Sequence, residues 1–279
     1  MKAKSNAKKS GVKRDPEMQI CYDRIIPDEK NSPHAVLHQM RVNAVLKTSG
    51  AATPREAFKD IDPTAVIPSA HMALIAAKSW PVGSTLKCRF LGGSQTQRAK
   101  VIAKAKIWEQ YANIHIDFVT TKNEQVRIAF LSGQGSWSGI GQDVLNTKYF
   151  PKSKPTMNFG WLKDNTDDSE YERVVVHEFG HALGCIHEHQ QPNEHLQWNV
   201  NAVYAQFSGP PNNWNKATID SNILEKYSPQ GIDATIFDRL SIMLYQFPAA
   251  LFLNHVGTPN NLHLSAKDKA FIAKIYPKT

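Results

Sequence analysis

Three histidines and a glutamate recur at fixed intervals between residues 177 and 187 of the 279-residue chain: His177, Glu178, His181 and His187. In a β-strand, His177 and His181 would lie about 13 Å apart, too far to share a metal ion whose bonds to nitrogen are about 2.0–2.1 Å long. On an α-helix, residues i and i+4 are neighbours on one face, so two imidazoles can converge on one ion. The spacing therefore predicts a metal-binding helix.

This predicted helix has a start signal and a stop signal. Ser169 and Glu172 match a capping box, which predicts a helix that begins at Ser169 and runs toward Gly184. On a straight helix His187 would lie about 15 Å along the axis from His177, out of reach of the same ion. A left-handed conformation at Gly184 would end the helix and return His187 to the metal.

The ligand set indicates zinc hydrolysis. Three histidines leave the fourth position of a tetrahedral zinc ion for water, as in catalytic zinc sites. Glu178 lies about 100° around the helix from His177, so it can contact that water as a general base without binding the metal. We therefore expect His177, His181 and His187 to bind one catalytic Zn²⁺ and Glu178 to act as the base.

The pattern H-E-x-x-H-x-x-G-x-x-H over residues 177–187 resembles the signature of the metzincin zinc metallopeptidases. Other segments look like the astacin branch of these enzymes, so that the resemblance covers about residues 79–276: SIMLY at 241–245 resembles the Met-turn, and GSWSGIG at 135–141 and LSAKDKAFIAKIYP at 264–277 resemble astacin segments. Leu244, Gln191 and Asn193 stand where astacins usually have histidine, arginine and aspartate. The chain is therefore similar to a divergent bacterial or fungal astacin-like type.

The resemblance implies a zinc-dependent endopeptidase that hydrolyses peptide bonds. Met243 would form an apolar floor beneath the zinc histidines. Tyr245 would be a switchable fifth zinc ligand and a catalytic hydrogen-bond donor in the transition state. PTMNFGW at residues 155–161 would be the edge strand that pairs with an extended protein or peptide substrate.

Two other functions fit the same residues. One is a zinc hydrolase of a non-protein amide such as a cell-wall crosslink, which would use the same site chemistry. The other is a non-catalytic binding module that keeps a zinc fold. The presence of both Glu178 and Tyr245 argues against the binding module, because a protein without turnover would be free to lose them.

The hydrophobic patterns predict an α+β protein, and the resemblance implies a metzincin or zincin-like fold. We expect strands at 85–91, 114–119 and 126–131, with 155–161 as a further candidate, and a helix in QRAKVIAKAKIWEQYA at 97–112. Together with the resemblance, these patterns predict a twisted mixed sheet with an antiparallel edge strand, an active-site helix, and a mostly irregular or helical C-terminal subdomain.

Three regions follow from composition: a basic tail at 1–14, an N-terminal extension at 15–75, and a catalytic domain at 76–279. In related enzymes a pro-segment cysteine or aspartate blocks the zinc. Cys21, Asp23 or Asp28 could therefore impose latency if residues 15–75 are a pro-segment. The alternative is an extension that packs on the back of the domain.

The formal net charge is +8, of which the first fourteen residues contribute +6, so the rest of the chain carries only +2. We therefore expect no nucleic-acid partner, and a disordered tail.

No segment is long and apolar enough to predict a signal peptide or a membrane span, which leaves a cytoplasmic location or a signal-independent export route. Three widely spaced cysteines do not suggest a disulfide framework. The oligomeric state is open, with a monomer as the expectation.

Overall fold

The computed structural model describes most of the predicted catalytic domain and two short pieces of the extension. The described residues are 20–24, 74–75, 78–210, 212–227, 232–233 and 236–278. The basic tail at 1–14, Asp28 and most of the N-terminal extension lie outside them. None of the helices in the described part is long and apolar enough to cross a membrane.

The main sheet is mixed. Its strands, in chain order, are β1 (Cys21–Arg24), β3 (Thr85–Phe90), β4 (His115–Phe118), β5 (Val126–Ala129), β6 (Ser136–Gly139) and β7 (Met157–Phe159). Their order across the sheet is β4-β3-β5-β7-β6-β1. β6 runs antiparallel to β7, and all other neighbours are parallel. A second, two-stranded sheet pairs β2 (Leu74–Ile75) with β8 (Ile232–Asp233).

Five α-helices are described: α1 (Gln95–Ala105), α2 (Asp168–Ala182), α3 (Val200–Phe207), α4 (Lys216–Ile219) and α5 (Ala266–Ile275). Single 3₁₀ turns occur at Trp108–Gln110, Gly141–Leu145, Glu188–Gln190 and Ala249–Leu251, and a π turn at Asp220–Leu224 continues α4. The elements after α2 are therefore mostly short helices and loops, as predicted.

Burial differs between the strands: β4 has one face on the core, whereas every residue of β5, β6 and β7 is buried. In β4, Ile116 is buried whereas His115 and Asp117 are exposed, the pattern of a strand with one face on the core. α2 packs against α1 and beneath β6 and β7, so its apolar face closes the core. A second apolar cluster beyond the histidines joins α3 to Tyr245 and Phe247. The α+β prediction and the active-site helix are confirmed.

Two expectations are wrong in detail. The strand within 155–161, β7, is not an edge, because β6 and β5 flank it on both sides. The antiparallel strand is β6. It would be an edge strand of the sheet if β1 were not paired along its outer side. The capping box at Ser169 does not form either: Asp167 is the N-cap residue of α2, and its side chain makes no capping hydrogen bond.

Candidate active site

The C-terminal half of α2 carries His177, Glu178 and His181, all buried. The helix ends at Ala182, and Gly184 takes a left-handed φ of 105° that L side chains rarely adopt. The amide of Cys185 then donates to the carbonyl of Gly180 at 3.0 Å, which closes the turn. The predicted helix break is therefore present and brings His187 back toward the helix.

The three histidines converge through their Nε2 atoms. His181 Nε2 lies 3.1 Å from His177 Nε2 and 3.2 Å from His187 Nε2. Two zinc–nitrogen bonds of 2.0–2.1 Å at the tetrahedral angle separate their nitrogens by about 3.3 Å. The ligand atoms of the three residues all lie within 4.8 Å of one another, so the triad fits one zinc ion.

The opposite ring nitrogens fix the tautomers. His177 Nδ1 donates to the carbonyl of Ile242 and His181 Nδ1 to the carbonyl of Cys185, both at 2.8 Å. His187 Nδ1 lies 3.3 Å from the side-chain oxygen of Gln190. Because each Nδ1 faces an acceptor, each Nε2 keeps its lone pair for a metal.

Burial keeps the rings of His177 and His187 neutral. Burial is the main cause that lowers the pKa of His177 well below its usual value, and the neighbouring rings of His181 and His187 lower it further. Burial also lowers the pKa of His187 to about 3. Both imidazoles can therefore offer lone pairs at neutral pH without first releasing a proton.

Met243 lies beneath the triad, as the resemblance implied. A Cβ atom on Gly180 would lie 2.5 Å from Met243 Sδ, so the thioether packs directly against the helix between the two helical ligands. The turn that carries Met243 is held by Asp268, whose carboxylate accepts hydrogen bonds from Ser241 Oγ at 2.7 Å and Ile242 N at 2.8 Å. This anchor joins α5 to the floor of the site.

Glu178 and Cys21 lie next to each other beside His177. Ligand atoms of Cys21, His177 and Glu178 lie within 4.8 Å of one another, and Cys21 and Glu178 are fully buried. Burial raises the pKa of the Cys21 thiol well above its usual value, and the Glu178 carboxylate raises it further. The thiol is thus held in its protonated form beside the predicted base.

Tyr245 completes the arrangement. Its ring centroid lies 5.4 Å from that of His177 and 4.2 Å from that of His187. Its hydroxyl donates a hydrogen bond to the main-chain carbonyl of Cys21. The structure therefore brings together every predicted site residue, whereas the strand within residues 155–161 is flanked on both sides by other described strands.

The sequence did not reveal three supporting features. The SWSG strand β6 borders the site, and its residue Ser136 is the register partner of Cys21. Gln190 supports the third histidine, and Asp268 holds the Met-turn. Ser265 and Asp268 form a capping box at the start of α5, so spacing could have signalled that helix start.

Comparisons with known proteins agree with this geometry. The family model described as Astacin, a family of peptidases, matches residues 75–258. A structure of myroilysin is 42% identical, with a TM-score of 0.71, over 74% of this chain and 99% of that one. A second myroilysin structure is 43% identical, with a TM-score of 0.58, over 72% of this chain and 86% of that one.

The curated protein SpAN of Strongylocentrotus purpuratus is 28% identical over 116 residues, which are 40% of this chain but only 17% of SpAN. The match thus spans a small part of that relative. The family model, by contrast, covers β3 to β7 of the main sheet, the three histidines and the Met-turn. The chain belongs to the astacin family of zinc metallopeptidases.

Proposed function

We propose that this protein is a zinc endopeptidase in which Glu178 is the general base and Tyr245 the transition-state donor. The observation that carries the proposal is the convergence of three imidazoles with a carboxylate and a phenol at one buried point. A structural zinc site would need neither the carboxylate nor the phenol beside its ligands. The alternatives, hydrolysis of a non-protein amide and binding without turnover, are outcomes of the test below.

Each residue has a chemical task. Zn²⁺ held by His177, His181 and His187 would act as a Lewis acid and lower the pKa of a water molecule toward about 7. Glu178, adjacent to His177 in sequence but on a different side of the helix, takes a proton from the water whose oxygen bonds to the carbonyl carbon, and delivers it to the amine nitrogen as the C–N bond breaks. Tyr245 donates its hydroxyl to the oxygen of the attacked carbonyl. Its hydrogen bond to the Cys21 carbonyl supports this task, since the acceptor is of the same type.

The substrate backbone pairs with β6 in this proposal, and not with residues 155–161. Without β1, β6 would be an edge strand of the main sheet. Its outer hydrogen-bonding groups already pair with an extended segment, β1. A peptide that replaced β1 would gain the same ladder of main-chain hydrogen bonds. It would also pass directly over the histidine site, as Cys21 does.

We further propose that the extension at 15–75 acts as a pro-segment that keeps the enzyme latent. β1 occupies the β6 edge, the Cys21 thiol lies beside Glu178, and the Cys21 carbonyl occupies the Tyr245 hydroxyl. The substrate-binding edge of β6, the base Glu178 and the donor Tyr245 are therefore all contacted by one short segment. Cys21 is the latency residue among the three candidates, because its ligand atom lies at the site.

The test compares casein cleavage by the intact chain before and after limited proteolysis, with zinc content measured. We expect about one zinc per chain, low cleavage by the intact chain, and a large rise after the extension is cut. Glu178→Gln should keep its zinc and lose cleavage even after proteolysis. Cys21→Ala should raise cleavage by the intact chain. Cys88→Ala is the matched control, because it removes a fully buried thiol in β3, and it should not raise cleavage.

Each outcome bears on one part of the proposal. Cleavage that persists in a zinc-loaded Glu178→Gln protein would remove Glu178 from the mechanism. A Cys21→Ala chain that is as inactive as the intact parent, yet is activated by proteolysis, would exclude the thiol as the block. Zinc binding without cleavage of casein after proteolysis would favour the binding module or, if small amides are hydrolysed, the non-protein amidase.

A further inference from the structure

A cavity of about 270 Å³ lies beside β6, away from the histidines. Its lining is mostly apolar and includes Leu131, Trp137, Tyr149 and Phe150. The volume is below the range of about 300–1,000 Å³ that is usual for pockets enclosing a small-molecule ligand. It is a space for a single large side chain.

The cavity lies on the opposite face of β6 from the metal site. Successive residues of a strand point to opposite faces, so Trp137 faces away from Ser136 and Ser138. Ser136 pairs in register with Cys21, whose thiol is beside His177 and Glu178. The Ser136 face is therefore the metal side, and the Trp137 side chain forms part of the cavity wall on the outer side.

Register places one substrate residue next to this cavity. Residues that are register partners on neighbouring strands present their side chains to the same face of the sheet. A peptide that takes the place of β1 along β6 therefore puts the residue opposite Trp137 on the cavity side. That residue is the sequence neighbour of the one above the metal, so it lies within two residues of the scissile bond.

The lining favours an aromatic ring. Trp137 and Phe150 are buried, whereas Leu131 and Tyr149 at the rim keep 40% and 41% of their surface exposed. The Tyr149 and Phe150 rings already meet edge to face, with centroids 5.0 Å apart, an arrangement that a third ring can extend. Among the described residues, those that line the cavity include no acidic side chain. The strand that occupies this edge, β1, has a tyrosine, Tyr22, at the register position opposite Trp137.

We propose that this cavity is a specificity subsite for an aromatic side chain of the peptide substrate, within two residues of the scissile bond. The proposal rests on the proposed peptidase function and on β6 as the substrate-binding edge. A peptide side chain is the expected occupant, because the same edge already binds an extended segment, β1, in this structure.

The experiment measures kcat/KM for pairs of peptides that differ only by phenylalanine or alanine, scanned through the two residues on each side of a mapped cleavage site. The enzyme is the full chain activated by limited proteolysis. At one position we expect phenylalanine to be preferred. Leu131→Ala and Tyr149→Ala should each lower that preference about tenfold, the low end of what a lost apolar contact costs in a pocket.

Leu145→Ala is the matched control, since Leu145 is also an exposed leucine, at 49%, but is not part of the lining. It should leave the preference unchanged. Equal phenylalanine and alanine rates at all four positions, or a preference that survives both wall variants, would overturn the subsite while leaving the peptidase intact. Failure of the activated chain to cleave any peptide would instead refute the proposed function.

Discussion

The hydroxyl of Tyr245 donates a hydrogen bond to the main-chain carbonyl of Cys21, two residues far apart in sequence that meet at the histidine site. The phenol therefore faces a carbonyl oxygen in this structure. Its ring is packed against His177, His187, His189 and Phe247, which limits where it can move. A donor fixed by packing would need little reorganisation if a substrate carbonyl replaced that of Cys21, as we propose.

Tyr245→Phe should lower kcat of the activated enzyme by about 10²–10³, because one oxyanion donor is worth about 2.7–4 kcal/mol. KM should change little, since the ring and its packing remain. Steady-state kinetics on one peptide measure both constants. An unchanged kcat would mean that the phenol only packs.

Gln190 supports the third zinc ligand through a side chain, whereas backbone carbonyls support His177 and His181. Its amide nitrogen donates at 2.7 Å to the carbonyl of Ser221, which fixes the oxygen toward His187. Gln190→Ala should weaken zinc binding about 10- to 100-fold, the usual cost of losing such a partner. Competition with a chromophoric chelator measures the zinc Kd directly.

Gln142→Ala is the matched control for this prediction. Gln142 also donates its amide to a backbone carbonyl, that of Ser79 at 2.5 Å, but takes no part in the zinc site. Its substitution should leave the zinc Kd unchanged. Equal zinc affinity in the Gln190→Ala and Gln142→Ala proteins would show that the backbone alone orients His187.

The histidine site could be read from the sequence because helical spacing is local: His177 and His181 are neighbours on any α-helix. The helix end at Gly184 was also predictable, because glycine readily takes the left-handed conformation that ends a helix. The edge strand could not be read, because strand order depends on contacts between distant segments. β6 has only one large apolar residue, Trp137, so its pattern is weak, whereas Met157 and Phe159 made β7 the more conspicuous strand. The position of Cys21 depends on the same long-range pairing.

Gly180→Ala should destabilise the protein, although alanine normally stabilises a helix by about 1 kcal/mol over glycine. The new Cβ would lie 2.5 Å from Met243 Sδ and 3.2 Å from Trp108 Cζ2, so buried side chains must shift. Overpacking of this kind costs about 1–3 kcal/mol. Gly92→Ala is the control, because nothing lies within 4 Å of its added Cβ. Denaturant unfolding should show loss of stability only for Gly180→Ala, and equal stabilities would argue against tight packing of Met243 beneath the helix.

Asp268 should make the stability of the fold depend on pH. Burial, the largest cause, raises the pKa of its carboxyl to about 6 in the folded chain, against about 3.9 for an unperturbed aspartate. A raised pKa means that the folded state binds the proton more tightly, so the contribution of this group to stability is fully present below about pH 4 and is lost as the pH rises through 6.

Asp268→Asn removes the titration. The Ser241 hydroxyl, which donates to Oδ1 of Asp268, can turn to accept a hydrogen bond from the new amide. Between pH 4 and 7, the stability of the parent should therefore fall relative to that of Asp268→Asn, by up to about 3 kcal/mol at 1.36 kcal/mol per pKa unit. Urea unfolding of both proteins across this range measures the difference, and a difference that stays constant with pH would show that Asp268 titrates at its ordinary value despite its burial.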